Sequence, residues 1–304
     1  MTLTKTLIAT LVLLSALAIF ASGETIFPNY PKIQQEVSIS SQSLPDLYPY
    51  PVQKENYHEP PDISAKSAVV VEVVSGIILF EKNPHTKLLP ASTTKLMTAL
   101  VALEKCSLDQ IVTVGEVVVE PTSMGLAPGD NISVRALLYG LLVNSGNDAA
   151  FTLAASCAGS VGDFVREMNY KAREIGLKNT HFTNPAGFDD PAQYTISRDL
   201  AKLARVAIAS PILAKIVSTK STVVTDATGS KTYFLENINK LLGEVEGLEG
   251  IKTGQTEGSQ EVLVTQTTRS ANTIITVVLG SLDRFAESKS LIEWAFENHV
   301  WVTP

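Results

Sequence analysis

The sequence predicts an α/β protein of the α+β type, an antiparallel sheet with helices packed on it, and three observations carry that reading. Ala68-Val69-Val70-Val71-Glu72-Val73 and Gly76-Ile77-Ile78-Leu79-Phe80 flank a Ser75-Gly76 turn, the pattern of a β-hairpin. Val262 to Thr265 and Thr273 to Val278 form a second strand pair across Arg269 to Asn272. Between these pairs lie apolar runs of helical period, and first and last strands around a helical middle close into one antiparallel sheet. The roughly 240 residues from Asp62 to Pro304 suffice for one extended core. No internal repeat is present.

The chain begins with Lys5 followed by an apolar stretch from Leu7 to Ala21, then the small residues Ala21-Ser22-Gly23. About fifteen apolar residues suit a signal peptide better than the ~20 needed to span a bilayer, so residues 1–23 are expected to be a signal peptide or an uncleaved N-terminal membrane anchor. Either one directs the rest of the chain outside the cytoplasmic membrane. Residues 24–61 hold Pro28, Pro31, Pro45, Pro49, Pro51, Pro60 and Pro61 among Ser, Gln and Tyr, with no helical period. They are expected to be a semi-extended linker, and residues 62–304 the catalytic domain.

The formal net charge is −7 and no basic run occurs, which argues against nucleic acid as a partner. His58, His85, His181 and His299 have no metal-ligand spacing, so neither a metal site nor a Ser-His-Asp triad is expected. Cys106 and Cys157 are the only cysteines, and an exported location permits them to pair; two buried thiols fit the sequence equally well.

Ser92-Thr93-Thr94-Lys95 opens the first apolar helical run. Residues three apart share a helix face, which puts the Lys95 amine beside the Ser92 hydroxyl. A serine hydroxyl needs a neighbouring base, and a lysine can be that base only if its pKa falls below the usual value near 10.4. The run Leu96, Met97, Leu100, Val101, Leu103 is apolar almost all round, so the helix should be buried. Burial and a nearby cation both lower the pKa of a lysine, and Lys252 is the candidate cation.

Ser145-Gly146-Asn147 offers two polar side chains across a glycine turn, and Lys252-Thr253-Gly254-Gln255 follows Leu248 to Ile251 in a strand pattern. Alone, the first is a turn that caps a helix starting near Asp148, and the second a solvated strand lysine. Their order behind Ser92-x-x-Lys95 favours a serine acyltransferase. Lys252 and Thr253 then hold a substrate carboxylate, and Gly254 lets a substrate backbone approach the strand.

With these residues the chain resembles the D-alanyl-D-alanine carboxypeptidases of the low-molecular-mass penicillin-binding protein family. The likeness runs from about Asp62 to Phe296 through Pro90-Ala91-Ser92-Thr93-Thr94-Lys95-Leu96-Met97, Ser123-Met124-Gly125-Leu126, Pro128-Gly129-Asp130, Ser145-Gly146-Asn147-Asp148, Thr180-His181-Phe182-Thr183-Asn184-Pro185 and Gly250-Ile251-Lys252-Thr253-Gly254. It implies a β-lactamase/transpeptidase-like fold: a five-stranded antiparallel sheet with helices on both faces and an interleaved helical subdomain. It also implies Ser92 as acylated nucleophile, Lys95 as its proton acceptor, Ser145 and Asn147 as the second catalytic element, and Lys252 as carboxylate binder. The backbone N–H groups of Ser92 and Gln255 would form the oxyanion hole. No cofactor is implied, the substrates are peptidoglycan stem peptides, and β-lactam antibiotics are expected inhibitors.

Where the family usually has a glycine after the third motif this chain has Gln260, so the rim of the site is expected to differ. Many relatives continue into a β-rich domain and a C-terminal membrane-binding helix, neither of which is expected in a chain that runs to Pro304. A class A β-lactamase would need a Glu-x-x-Leu-Asn segment between the second and third motifs, and none occurs. A D,D-endopeptidase cutting cross-links would use the same residues. A peptidoglycan-binding protein without turnover would not need all three motifs intact.

Overall fold

The computed structural model describes residues 48–116 and 121–304. The expected leader, and the linker through residue 47, lie outside the described residues. In chain order come β1 (Tyr50–Gln53), β2 (Ser67–Glu72), β3 (Ile78–Lys82), a 3-10 turn Ala91–Thr94 leading into α1 (Lys95–Lys105), β4 (Ile111–Thr113), β5 (Asn131–Ser133), α2 (Val134–Leu142), α3 (Asn147–Ala158) and α4 (Val161–Glu174). There follow α5 (Ser197–Ile208), α6 (Pro211–Val217), β6 (Ser221–Thr225), β7 (Thr232–Glu236), β8 (Leu248–Thr256), β9 (Gln260–Arg269), β10 (Asn272–Ser281), α7 (Arg284–Asn298) and β11 (His299–Val302).

The five-stranded antiparallel sheet has the order β3-β2-β10-β9-β8. Both expected hairpins are in it. Its strands sort their side chains with a period of two. Val69, Val262, Val264, Ile275 and Val277 face the helical middle, while Ala68, Val70, Leu263, Ile274 and Val278 face Leu291, Ile292, Trp294 and Ala295 of α7. Burial on both faces accounts for the apolar run Val262 to Val264 in β9 and for Ile274 to Leu279 in β10, which only Thr276 interrupts.

One part of the expected linker is a strand. β1 pairs antiparallel with β11, from Tyr50 opposite Val302 to Gln53 opposite His299. Proline at position 51 is tolerated because a two-stranded ribbon leaves outward positions that need no ladder donor. The partner strand sits at the far end of the sequence, so no local pattern announces the pairing.

Helix α1 is the centre of the helical subdomain. Lys95 through Ala102 are all buried, and the helix packs against α2, α3, α4 and α5. Its last turn is joined to that of α3 by the Cys106–Cys157 disulfide, with Cα atoms 5.5 Å apart. The pairing that the sequence leaves open is therefore made. Closing a loop of 51 residues is worth about 4 kcal/mol by chain entropy. Replacing both cysteines with alanine is expected to lower unfolding free energy by most of that amount, read from urea denaturation of the double variant beside the oxidised protein.

Among the described residues, no helix is long and apolar enough to cross a membrane.

Candidate active site

Ser92 stands in the 3-10 turn before α1, where residues three apart eclipse one another. Lys95 Nζ accordingly lies 3.0 Å from Ser92 Oγ. The same Nζ is 2.8 Å from Asn147 Oδ1 and 2.8 Å from the carbonyl oxygen of Ala186. Lys95 is fully buried, whereas Ser92 is partly exposed. Burial, and after it the charge of Lys252, hold the Lys95 pKa well below its ordinary value, while Asp148 pulls the other way.

These contacts define what a neutral Lys95 can do. An uncharged amine has two N–H donors and one lone pair. Asn147 Oδ1 and Ala186 O accept the two donors, because neither can donate at those atoms. The lone pair is left for Ser92, and the hydroxyl proton has an acceptor 3.0 Å away.

Ser145 and Asn147 are set by the turn between α2 and α3. Ser145 has a positive φ of 58°, in the left-handed region that costs a non-glycine residue roughly 1 kcal/mol. The turn is held by Gly146 N–H donating to Gly140 O, Thr122 Oγ1 donating to Ser145 O and Asn147 N–H donating to Thr122 O. Asp148, fully buried in the first turn of α3, accepts from Ser123 Oγ and from the backbone N–H groups of Met124, Gly125 and Leu126. It thus ties residues 123–126 to the catalytic turn.

Lys252, Thr253 and Gly254 lie on β8, the edge strand of the sheet, with Gly254 opposite Val262. The sequence reading makes room for substrate at Gly254, which lines the open cavity, and the structure adds a second reason for glycine there. A Cβ there would stand 2.8 Å from Ala91 Cβ and 2.9 Å from Ser92 N, so glycine is what lets β8 lie against the Ser92 turn. Gln260 has a positive φ of 57°, the left-handed region that glycine adopts most readily.

Ser92, Ser145, Thr253, Gly254, Gln255 and Arg284 line one cavity of about 330 Å3. Asn147, Lys95 and Lys252 are buried beside it. The structure therefore gathers all eight expected site residues around one cleft. Arg284 is the residue that the sequence reading missed. It begins α7, far from the three motifs, and donates through Nη1 to Gly254 O at 2.8 Å. Burial, then the neighbouring Arg284, lowers the Lys252 pKa to about 7. Among the described residues no cluster of His, Cys, Asp and Glu could hold a metal ion.

A family model described as D-alanyl-D-alanine carboxypeptidase matches residues 54–282. The D-alanyl-D-alanine carboxypeptidase DacF of Bacillus subtilis (strain 168) is 34% identical over 248 residues, which cover 77% of this chain and 63% of that protein. DacC of Escherichia coli (strain K12) is 35% identical over 263 residues, covering 81% of this chain and 64% of its own length. The chain thus spans somewhat less than two thirds of these relatives. Among solved structures, the Streptomyces K15 DD-transpeptidase superposes with a TM-score of 0.75 at 32% identity, covering 79% of this chain and all of the other.

Proposed function

The chain belongs to the D-alanyl-D-alanine carboxypeptidase family, and from that premise we propose that it removes the terminal D-alanine from peptidoglycan stem peptides through an acyl-enzyme on Ser92. The observation that carries this reading is the Lys95 amine, buried, depressed in pKa and 3.0 Å from Ser92 Oγ. Lys95 takes the hydroxyl proton as Oγ attacks the carbonyl of the penultimate D-alanine. The backbone N–H groups of Ser92 and Gln255 stabilise the tetrahedral oxyanion. Ser145, on the same cavity, passes a proton to the departing amine. Asn147 fixes the Lys95 amine through its carbonyl oxygen. The terminal carboxylate meets two cations, Lys252 and Arg284, with the Thr253 hydroxyl beside them.

Water then hydrolyses the acyl-enzyme. The segment facing Lys95 from the loop side, Thr183 to Phe188, contains no carboxylate and offers the Ala186 carbonyl instead. That is the reason to read slow deacylation of a penicilloyl-enzyme, and inhibition rather than the turnover of a β-lactamase. Residues 1–23 direct the enzyme outside the cytoplasmic membrane, as a cleaved signal or as an anchor, and if the leader is retained the linker expected at residues 24–61 acts as a tether. Neither nucleic acid nor a cofactor has a part in this scheme.

Incubating the protein with a pentapeptide stem and with a cross-linked stem dimer, and resolving products by mass, tests the reading. The expected product is the tetrapeptide plus free D-alanine. Cleavage confined to the dimer would make the protein an endopeptidase, and two intact substrates would remove the activity altogether.

The pH dependence follows from the two lysines. Acylation needs Lys95 neutral and Lys252 charged, so kcat/KM should fall above about pH 7 as Lys252 in the free enzyme loses its proton. The sign for stability is opposite. With its folded pKa depressed, Lys252 binds fewer protons folded than unfolded, so its contribution to stability grows as pH rises from about 7 to the ordinary lysine value. Lys252→Arg, charged throughout, is expected to lose the falling limb, read from penicillin acylation rates between pH 6 and 9.

A further inference from the structure

The loop between α4 and α5 gives Lys95 one of its acceptors, and a single side chain sets the shape of that loop. Pro185 has no N–H, so the first backbone donors after Asn184 are those of Ala186, Gly187 and Phe188. One oxygen, Asn184 Oδ1, accepts all three, at 3.2, 2.7 and 2.9 Å. Nδ2 of the same side chain donates to Phe188 O at 3.1 Å and to Thr183 Oγ1 at 3.3 Å.

The shortest of these bonds bears on the reacting pair. Gly187 N–H and the Ala186 carbonyl belong to one planar trans peptide and point in opposite directions. Asn184 holds the N–H end at 2.7 Å, and Lys95 Nζ donates to the carbonyl end at 2.8 Å. Any rotation of this peptide takes the acceptor away from Lys95. Gly187 also lies against the Ser92 turn, so closely that a Cβ there would stand 1.8 Å from Ala91 O and 2.9 Å from Ser92 N.

A neutral Lys95 has two N–H donors, held by Asn147 and Ala186, and one lone pair for Ser92. With the Ala186 carbonyl turned aside, one N–H is released and the amine rotates. Ser92 Oγ then meets a donor as often as the lone pair it needs.

We propose that Asn184 is a positioning residue for acylation: by holding the Ala186–Gly187 peptide it fixes the Lys95 amine with its lone pair on Ser92. Its own hydrogen bonds stay within the loop, so it acts through Lys95. The inference rests on the Ser92 acyl-enzyme reading above. The ends of the loop are held by other side chains. Gln193 accepts from Thr183 N–H at 3.1 Å and donates to Phe188 O at 2.7 Å, while Asn169 accepts from Phe182 N–H at 2.9 Å and donates to Phe182 O at 2.7 Å. Removing the Asn184 side chain therefore frees the central peptide and leaves the loop in place.

Rapid mixing with one penicillin at a series of concentrations tests this, because it separates the noncovalent dissociation constant from the acylation rate constant, and the amplitude of labelling counts folded enzyme. Asn184→Ala is expected to lower the rate constant by about 100-fold, the effect of a misplacement of about 1 Å, with the dissociation constant unchanged. Asn184→Thr, whose hydroxyl accepts from N–H groups two or three residues on, should recover about 10-fold of that loss. Asn169→Ala loosens the same segment at Phe182 and should acylate at the wild-type rate. A wild-type rate constant in Asn184→Ala, a lower amplitude with the rate constant unchanged, or an equal loss of rate in Asn169→Ala overturns the positioning role and leaves the acyl-enzyme standing. Should Asn184→Ala not fold, Asn184→Thr decides: a loss of about 10-fold confined to the rate constant supports the role, and an unchanged rate constant or weakened binding overturns it. A wild type that forms no penicilloyl adduct on Ser92 overturns the acyl-enzyme and the positioning role with it.

Discussion

Ser92→Ala is expected to leave a folded protein that penicillin no longer labels. The hydroxyl is the one atom that the proposed chemistry cannot replace, and its loss should cut acylation by about five powers of ten or more. Ser92 is half-buried on a turn, so removing one oxygen costs little packing, and circular dichroism and the unfolding midpoint should match the wild type. Label retained at ordinary rates would take Ser92 out of the mechanism.

Lys95→Arg should be almost as severe, because it puts a permanent cation where the mechanism needs a neutral amine. A guanidinium stays protonated at any working pH and is longer than the amine it replaces, inside a site whose Nζ already has three neighbours at 2.8 to 3.0 Å. Loss of the base alone removes about two to four powers of ten in acylation rate. Lys252→Arg, by contrast, keeps the cation and should retain measurable acylation. Lys252→Ala loses one charge-assisted contact, worth roughly 1.5–3 kcal/mol or one to two powers of ten. Arg284 remains beside that site and sets a floor under the loss. The second-order acylation rate of the three variants with one penicillin checks the ordering. If Lys95→Arg reacts as fast as Lys252→Arg, the two lysines have been given the wrong roles.

The contrast between Lys95 and Arg284 shows how much of the site could be read from the chain. Ser92 and Lys95 share one turn, and Ser145 and Asn147 another, so local spacing fixes each pair's geometry. The strand with Lys252 is legible too, from its apolar flank. Arg284 has no such neighbour. It reaches Gly254 only because α7 packs across the face of the sheet that holds β8, a relation between elements thirty residues apart. Gly254 shows a further gap: the sequence suggests the approach of a substrate backbone there, and only the packing reveals that the Ser92 turn also lies against it.

The fold divides in the same way. The two hairpins and the buried helix follow from periods of 2 and of 3.6 residues. The strand at Tyr50–Gln53 does not, since proline masks its pattern and its partner is the end of the chain. The Cys106–Cys157 pair depends on where α1 and α3 end in space, which composition leaves open.

The most direct test of the central claim is to mix the protein with penicillin, quench, digest and map the adduct by mass spectrometry over time. One penicilloyl group on the peptide containing Ser92, still present long after mixing, is the predicted result. An adduct on another residue, or rapid consumption of penicillin with no adduct at any time, would contradict a slowly deacylating Ser92 acyl-enzyme.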